Sequence, residues 1–302
     1  STATLRAVRE KFKDNYKISF LVGEESRDLL QRSPYIDELL VADFKNKESG
    51  LRGLLHLALV LRRKDFDIVI DLQNNRKSHV LSFLSASLNR YGYDNKKFGF
   101  LLNHRIPDAP ARLDPVTHQF RILKMLDIDL KDPRLEVWPS QEDEKYIEEL
   151  LRSEWLSANQ KIIGINMSAS SRWLTKNWPL RHIARLCEEL NKKDFRVALT
   201  GTQKDLEQAN VLIGMVKAPK LINACGKTTI NQLACLIRKC SVFVSFDTSA
   251  QHLAAAVQPF LAEGVKGVQR SRAGDELQEG GRLERVQVGE HVVDGLGIVA
   301  GE

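Results

Sequence analysis

No apolar stretch of this sequence reaches the roughly 20 residues needed to cross a bilayer, and its first residues do not read as a secretory leader. Cysteine is scarce. The four present, Cys187, Cys225, Cys235 and Cys240, have neither C-x-x-C spacing nor a companion His motif. They read as reduced structural thiols of a cytoplasmic protein, and no metal site is expected. No G-x-G-x-x-G, no H-E-x-x-H and no Ser-His-Asp set occurs, which argues against a dehydrogenase, a metalloprotease and a serine hydrolase. Gly226-Lys227-Thr228 invites a phosphate-loop reading, but Leu221 stands where that motif needs its first glycine. A tight turn followed by a capped helix fits better. No nucleic-acid-binding motif stands out, and no nucleic acid partner is expected. Glycine is sparse until Pro259: nine in the first 258 residues against nine in the last 44.

What is present is an ordinary globular composition, 43% hydrophobic and 28% charged, over a length that suggests two domains. The net charge of +6 is uneven. Residues 1–139 hold 24 Lys/Arg against 19 Asp/Glu, a balance of +5. An anionic partner for that half is one reading; scattered solvated lysines are the other.

Leu5, Val8 and Phe12 space a first helix over Ser1–Lys13. Strands follow at Lys17–Val22, Ile36–Val41, Phe66–Asp71 and Asn89–Tyr93, with helices at Ser26–Gln31, Leu51–Arg63, Ser78–Ser87 and Val116–Leu126. A helix over Pro139–Trp155 bridges to a second alternation. Its strands are Lys161–Met167, Arg196–Thr200, Leu221–Asn223 and Val242–Val244, and its helices Leu180–Lys192, Asp205–Val216, Thr229–Lys239 and one ending at Val257. Strands apolar throughout, alternating with helices, imply parallel sheets covered on both faces. Ligands then sit beyond the carboxyl ends of the strands. From Pro259 no helix or strand period is convincing, and no structure is assigned there.

In the first half that edge carries Gln73 to Ser78, with Arg76 and Lys77 as anion contacts. In the second it carries Ser168-Ala169-Ser170-Ser171 with Lys176, then Gly201 to Asp205, then Asp247-Thr248-Ser249. Hydroxyls, one lysine and a helix N-terminus suit a diphosphate, and a nearby acid such as Asp205 could accept from a ribose hydroxyl. The plainer alternatives stay open. Asp247 or Ser249 could be an ordinary N-cap with His252 packed on the helix, and Lys176 a solvated loop lysine.

Several runs together resemble one family: W-P-L-R-H-I-A-R-L from Trp178, L-T-G-T from Leu199, G-K-T-T-I from Gly226 and S-F-D-T-S-A-Q-H-L-A-A-A from Ser245. L-R-A-V-R-E-K-F from Leu5, F-D-I-V-I-D-L-Q from Phe66 and R-Y-G from Arg90 agree. Over about Ser1 to Gln258 the chain resembles the ADP-heptose:lipopolysaccharide heptosyltransferases, glycosyltransferase family 9. The resemblance implies an α/β protein of the GT-B fold, two Rossmann-like doubly wound domains facing a cleft. The expected divisions are an acceptor-side domain over 1–139, a connecting helix over 140–160, a nucleotide-sugar domain over 161–262 and an atypical Gly-rich tail over 263–302.

The implied reaction is inverting transfer of a heptose from ADP-heptose to a lipopolysaccharide-core acceptor, with no cofactor beyond the nucleotide-sugar donor. By that likeness Ser168, Ser170, Ser171 and Lys176 hold the diphosphate. Asp247, Thr248 and Ser249 hold the sugar and phosphates, and Gly226 to Thr228 line the adenosine. Asp205 lies near the ribose, and His252 packs the helix against the loop. Asn75, Arg76 and Lys77 face an anionic glycolipid acceptor, with peripheral association at the inner face of the inner membrane. Two departures stand out. The family opens with a strand and a Gly-Asp pair whose Asp is the expected catalytic base, so the base is expected upstream of Ser1. Its usual last elements are not legible after Pro259. Without a first strand a sheet edge is expected to lie open, and at this point transferase activity and donor binding with little or no transfer both stay open. The competing readings are a non-catalytic nucleotide-sugar-binding protein of the same fold and a different GT-B enzyme such as an epimerase.

Overall fold

A computed structural model describes residues 1–108, 113–154, 160–167, 178–217, 221–245 and 248–257, and the backbone of 295–300. The chain divides into two compact units, Ser1–Trp138 with Val292–Glu302, and Pro139–His291.

In the first unit the order is α1 (Thr2–Phe12), β1 (Lys17–Gly23), α2 (Arg27–Leu30), β2 (Glu38–Ala42), α3 (Gly50–Arg62), β3 (Ile68–Ile70), α4 (Arg76–Leu84), β4 (Asn89–Asp94), β5 (His104–Pro107) and α5 (Pro115–Leu123). β1 is buried along all but its first residue, as an apolar run covered on both faces must be. Alternation along it decides which face each residue serves. Ile18, Phe20 and Val22 pack with Ala3, Leu5 and Val8 of α1 and Phe120 and Leu123 of α5. Leu21 packs on the other face with Leu57, Ala58 and Leu61 of α3 and Leu81 of α4.

The second unit runs α6 (Gln141–Ser153), β6 (Ile162–Asn166), α7 (Leu180–Lys192), β7 (Arg196–Thr200), α8 (Leu206–Met215), β8 (Leu221–Asn223), α9 (Ile230–Lys239), β9 (Val242–Val244) and α10 (Ser249–Val257). Its sheet order is β8-β7-β6-β9, every described pairing parallel. One face is filled by α7 and α8 through Ile183, Cys187, Ala209 and Leu212. The other is filled by α6 and α9 through Ile147, Leu151, Cys235 and Leu236. α6 therefore packs as a helix of the second unit, joined to α9 by Arg238–Glu144 (2.9 Å) and Lys239–Glu148 (3.1 Å) ion pairs. No helix among the described residues is long and apolar enough to cross a membrane.

The structure departs from the sequence reading at three points. First, α4 starts at Arg76 rather than Ser78, because Asn75 and Ser78 close a capping box. Second, His104–Pro107 is a strand, parallel to β4. Third, the tail is not without structure. Gly295–Ala300 forms β10, antiparallel to both β1 (Phe20 opposite Gly297) and β3 (Val69 opposite Ile298). The position expected to be an open edge thus lies inside the sheet, order β2-β1-β10-β3-β4-β5. There the backbone groups of β1 and β3 need partners, and β10 supplies them.

All four cysteines are buried and free. Burial pushes their thiols up, Cys187, Cys225 and Cys240 to about 12 and Cys235 to about 11. A raised thiol stays protonated at pH 8, and the thiolate is the reactive form. The native chain is therefore expected to leave all four unmodified by a disulfide-exchange reagent at pH 8 and to give four per chain once unfolded. Gly164 supplies a second check. A Cβ there would run into the Phe243 ring and lie 3.0 Å from Cys240 Sγ. Gly164→Ala should cost about 1–3 kcal/mol of stability by overpacking; an unchanged melting temperature would mean that β6 and β9 are not this closely packed.

Candidate active site

Parallel pairing carries every strand of the second unit toward one edge. Asn166 lies opposite Thr200, Leu199 opposite Asn223, and Ile165 opposite Val244. The turns that leave the strand ends are therefore gathered there. After β7, Gly201 leads into a turn closed by Asp205, whose Oδ2 accepts from Thr202 N (2.7 Å) and Thr202 Oγ1 (2.8 Å). Asp205 is thus a buried capping residue. A Cβ on Gly201 would sit 2.9 Å from that carboxylate, so glycine is what lets the turn close.

After β8, Gly226 has φ +70, which favours glycine. Its N–H donates to Gly201 O (3.0 Å), tying the two turns together. Thr229 then caps α9 with Gln232, as a turn and capped helix require. After β9, Thr248 sits just before α10. Asn166 Nδ2 donates to Thr248 Oγ1 (3.4 Å), and Ser245 Oγ lies 3.3 Å from the same hydroxyl. Ser249, exposed, begins α10, and His252 is half-buried within it. Gly226, Thr228, Asp205, Thr248, Ser249 and His252 all belong to segments that come after strands of this sheet. Ser168, Ser170, Ser171, Lys176 and Asp247 lie outside the described residues. An edge of hydroxyls, amides and a helix N-terminus can hold phosphate oxygens.

The first unit has its own polar edge. Asn75 Oδ1 accepts from Ser78 N (3.0 Å), so Arg76 and Lys77 become the first two residues of α4 rather than loop residues. Cations are disfavoured at a helix N-terminus, and a bound anion would relieve that cost. Arg76 lies 6.0 Å from the Phe98 ring centre and Lys77 Nζ 5.8 Å from that of Phe44.

Beneath this turn is a group that motif reading passes over. Asp71 and His79 are both fully buried, with Asp71 Oδ2 2.6 Å from His79 Nδ1. Asp71 Oδ1 accepts from Gln73 N (2.9 Å) and Asn74 N (3.1 Å). His79 Nε2 lies 3.3 Å from Asn95 Oδ1, and Asn95 Nδ2 donates to Asn74 Oδ1. Asn74, at φ 55, donates in turn to Asp108 Oδ2 (3.0 Å). The one sequence signal is an Asp closing an apolar strand with a His eight residues on.

Comparison with known proteins gives three kinds of likeness. The profile of glycosyltransferase family 9 (heptosyltransferase) matches residues 54–261. The chain is 29% identical over 262 residues to the lipooligosaccharide heptosyltransferase 2 of Haemophilus influenzae, covering 82% of this chain and 74% of that protein. It is 27% identical over 248 residues to the lipopolysaccharide heptosyltransferase 2 of Salmonella typhimurium, covering 78% and 70%. In fold it is similar to the crystal structure of a family 9 glycosyl transferase from Veillonella parvula, with TM-score 0.78 and 21% identity over 85% of this chain and 74% of that one.

Asp71→Ala would leave Gln73 N, Asn74 N and His79 Nδ1 without their acceptor. A loss of about 2–3 kcal/mol is expected in urea unfolding, most of it from His79, since an orphaned buried group costs roughly 1–3 kcal/mol and the half-buried Gln73 and Asn74 amides cost less. A loss well under 1 kcal/mol would show that this pair does not hold the turn.

Proposed function

Since this chain belongs to glycosyltransferase family 9, we propose that it moves a heptose from ADP-heptose to a lipopolysaccharide-core acceptor, with inversion and without a metal cofactor. The observation that carries this reading, within the family, is the gathering of Asn166, Ser245 and Thr248 with the start of α10 at one sheet edge. In this reading Ser168, Ser170, Ser171 and Lys176 hold the diphosphate, while Asp247, Thr248 and Ser249 hold the sugar and phosphates. Gly226 to Thr228 line the adenosine and Asp205 meets the ribose. His252 packs α10 against the loop that holds the donor. An acceptor hydroxyl attacks the anomeric carbon on the face opposite ADP, the new bond forming as the bond to the diphosphate breaks. Developing charge on the leaving diphosphate is what Lys176 and the helix dipole stabilise. No residue of the chain is assigned as the base that takes the hydroxyl proton.

Asn75, Arg76 and Lys77 receive the acceptor, and the unfavourable placing of two cations at the start of α4 supports an anionic one. Such a glycolipid places the enzyme's work at the cytoplasmic face of the inner membrane.

Calorimetric titration with ADP tests the donor site. Saturable binding is expected, and Lys176→Ala should weaken it by about 1.5–3 kcal/mol, the range for a hydrogen bond to a charged group. A folded chain that ignores ADP would refute the donor site, and binding indifferent to Lys176 would move the diphosphate elsewhere. Binding of ADP-heptose without turnover, with acceptor present, would favour the non-catalytic binding protein.

A further inference from the structure

α3 carries an apolar stripe that the first unit does not bury. Its inner face is spent on Gly53, Leu57, Ala58 and Leu61. Leu51, Leu55 and Leu59 point the other way and are 71%, 47% and 57% exposed. At about 100° per residue, the three leucines fall within about 80° of arc. Arg62 lies inside that arc, and Arg52 and Arg63 lie within about 40° of its edge. Single exposed leucines need no explanation, but three in line on one helix form a patch.

The charge on the helix itself is of one sign. The helix, GLRGLLHLALVLR, contains no acid. From Phe44 to Lys64 there are six basic residues, of which Lys45 and Lys64 pair with Glu25 and Glu38; the one acid in this stretch, Glu48, accepts from Asp43 N (2.7 Å), and Asp43 and Asp65 stand at its two ends. Arg52, Arg62 and Arg63 are exposed and form no ion pair with a described carboxylate. A second copy of the chain is a poor occupant. Two-fold pairing sets the same patch against itself, so arginines would meet arginines with no acid on the helix to separate them. An anionic lipid surface answers both features, taking leucines at the acyl boundary and arginines at the phosphates.

We infer that α3 is an interfacial helix, laying Leu51, Leu55 and Leu59 into an anionic bilayer surface with Arg52, Arg62 and Arg63 on the headgroups. This deepens the reading of the acceptor as a membrane glycolipid. It is tested apart from that reading, with vesicles that contain no acceptor.

The whole chain is co-sedimented with phosphatidylethanolamine vesicles carrying about one-third phosphatidylglycerol, and with phosphatidylcholine vesicles. Saturable binding to the anionic vesicles alone is expected, lost near 1 M salt, where the screening length falls to about 3 Å. Leu55→Gln with Leu59→Gln should weaken it by roughly tenfold or more, through lost apolar burial. Arg62→Gln with Arg63→Gln should weaken it by about fivefold per residue. Both pairs are exposed, so the melting temperature should hold. A folded chain that stays in the supernatant overturns the inference, as does equal binding to neutral vesicles or binding untouched by both variant pairs. A dimer without vesicles that the leucine variants dissociate would overturn it in favour of self-association. Transfer to a soluble core acceptor, measured separately, can fail or succeed independently of these outcomes.

Discussion

Parallel pairing is the constraint on which the rest of the second unit depends. β6, β7, β8 and β9 all run one way, so their polar continuations emerge on the same edge while their apolar bodies stay between two helical layers. Ile163 and Ile165 face α7 and α8, and Ile162 and Ala198 face α6 and α9. With both faces closed, a small polar ligand has the edge left to it. That edge is built at close quarters: Gly226 N–H on Gly201 O, Asp205 on Thr202, Asn166 on Thr248. The first and last of these contacts tie neighbouring strand ends together and the second closes a single turn, which is the pre-organisation a diphosphate site needs.

The first unit solves a different problem. Its charges stand where a helix disfavours them, with Arg76 and Lys77 in the first turn of α4. The turn holding them is shaped from beneath by the buried Asp71–His79 pair and by Asn74 in a left-handed conformation. β10 completes the same sheet from the far end of the sequence, antiparallel among parallel strands. Edge strands left unpaired are a liability, and an antiparallel insertion satisfies the ladder as well as a parallel one.

Much of this is legible in the residues. KISFLV and KIIGINM are short, apolar, β-branched-rich runs that read as buried strands, and LxxIxxLxxxL from Leu180 reads as an amphipathic helix. The runs from Trp178, Leu199, Gly226 and Ser245 together carry the family resemblance. The features that stayed hidden have physical causes. His104–Pro107 offers neither an apolar run nor alternation, and takes its strand form from pairing with β4. β10 depends on partners more than 220 residues away in sequence, and local glycine content argues against it. Asn75 caps a helix whose start looked like Ser78, because two basic residues stood in between. Asp71 and His79 meet only once β3 and α4 are folded together. Asp205, expected near a ribose, is seen to close the turn after β7 on Thr202, a role its carboxylate can fill as readily as a ligand contact.

A group transfer is witnessed by its product. The measurement is mass spectrometry of a heptose-deficient lipopolysaccharide core incubated with ADP-heptose and the folded chain. A core heavier by one heptose, formed together with ADP, is expected. A core of unchanged mass, under conditions where ADP-heptose demonstrably occupies the chain, would contradict it.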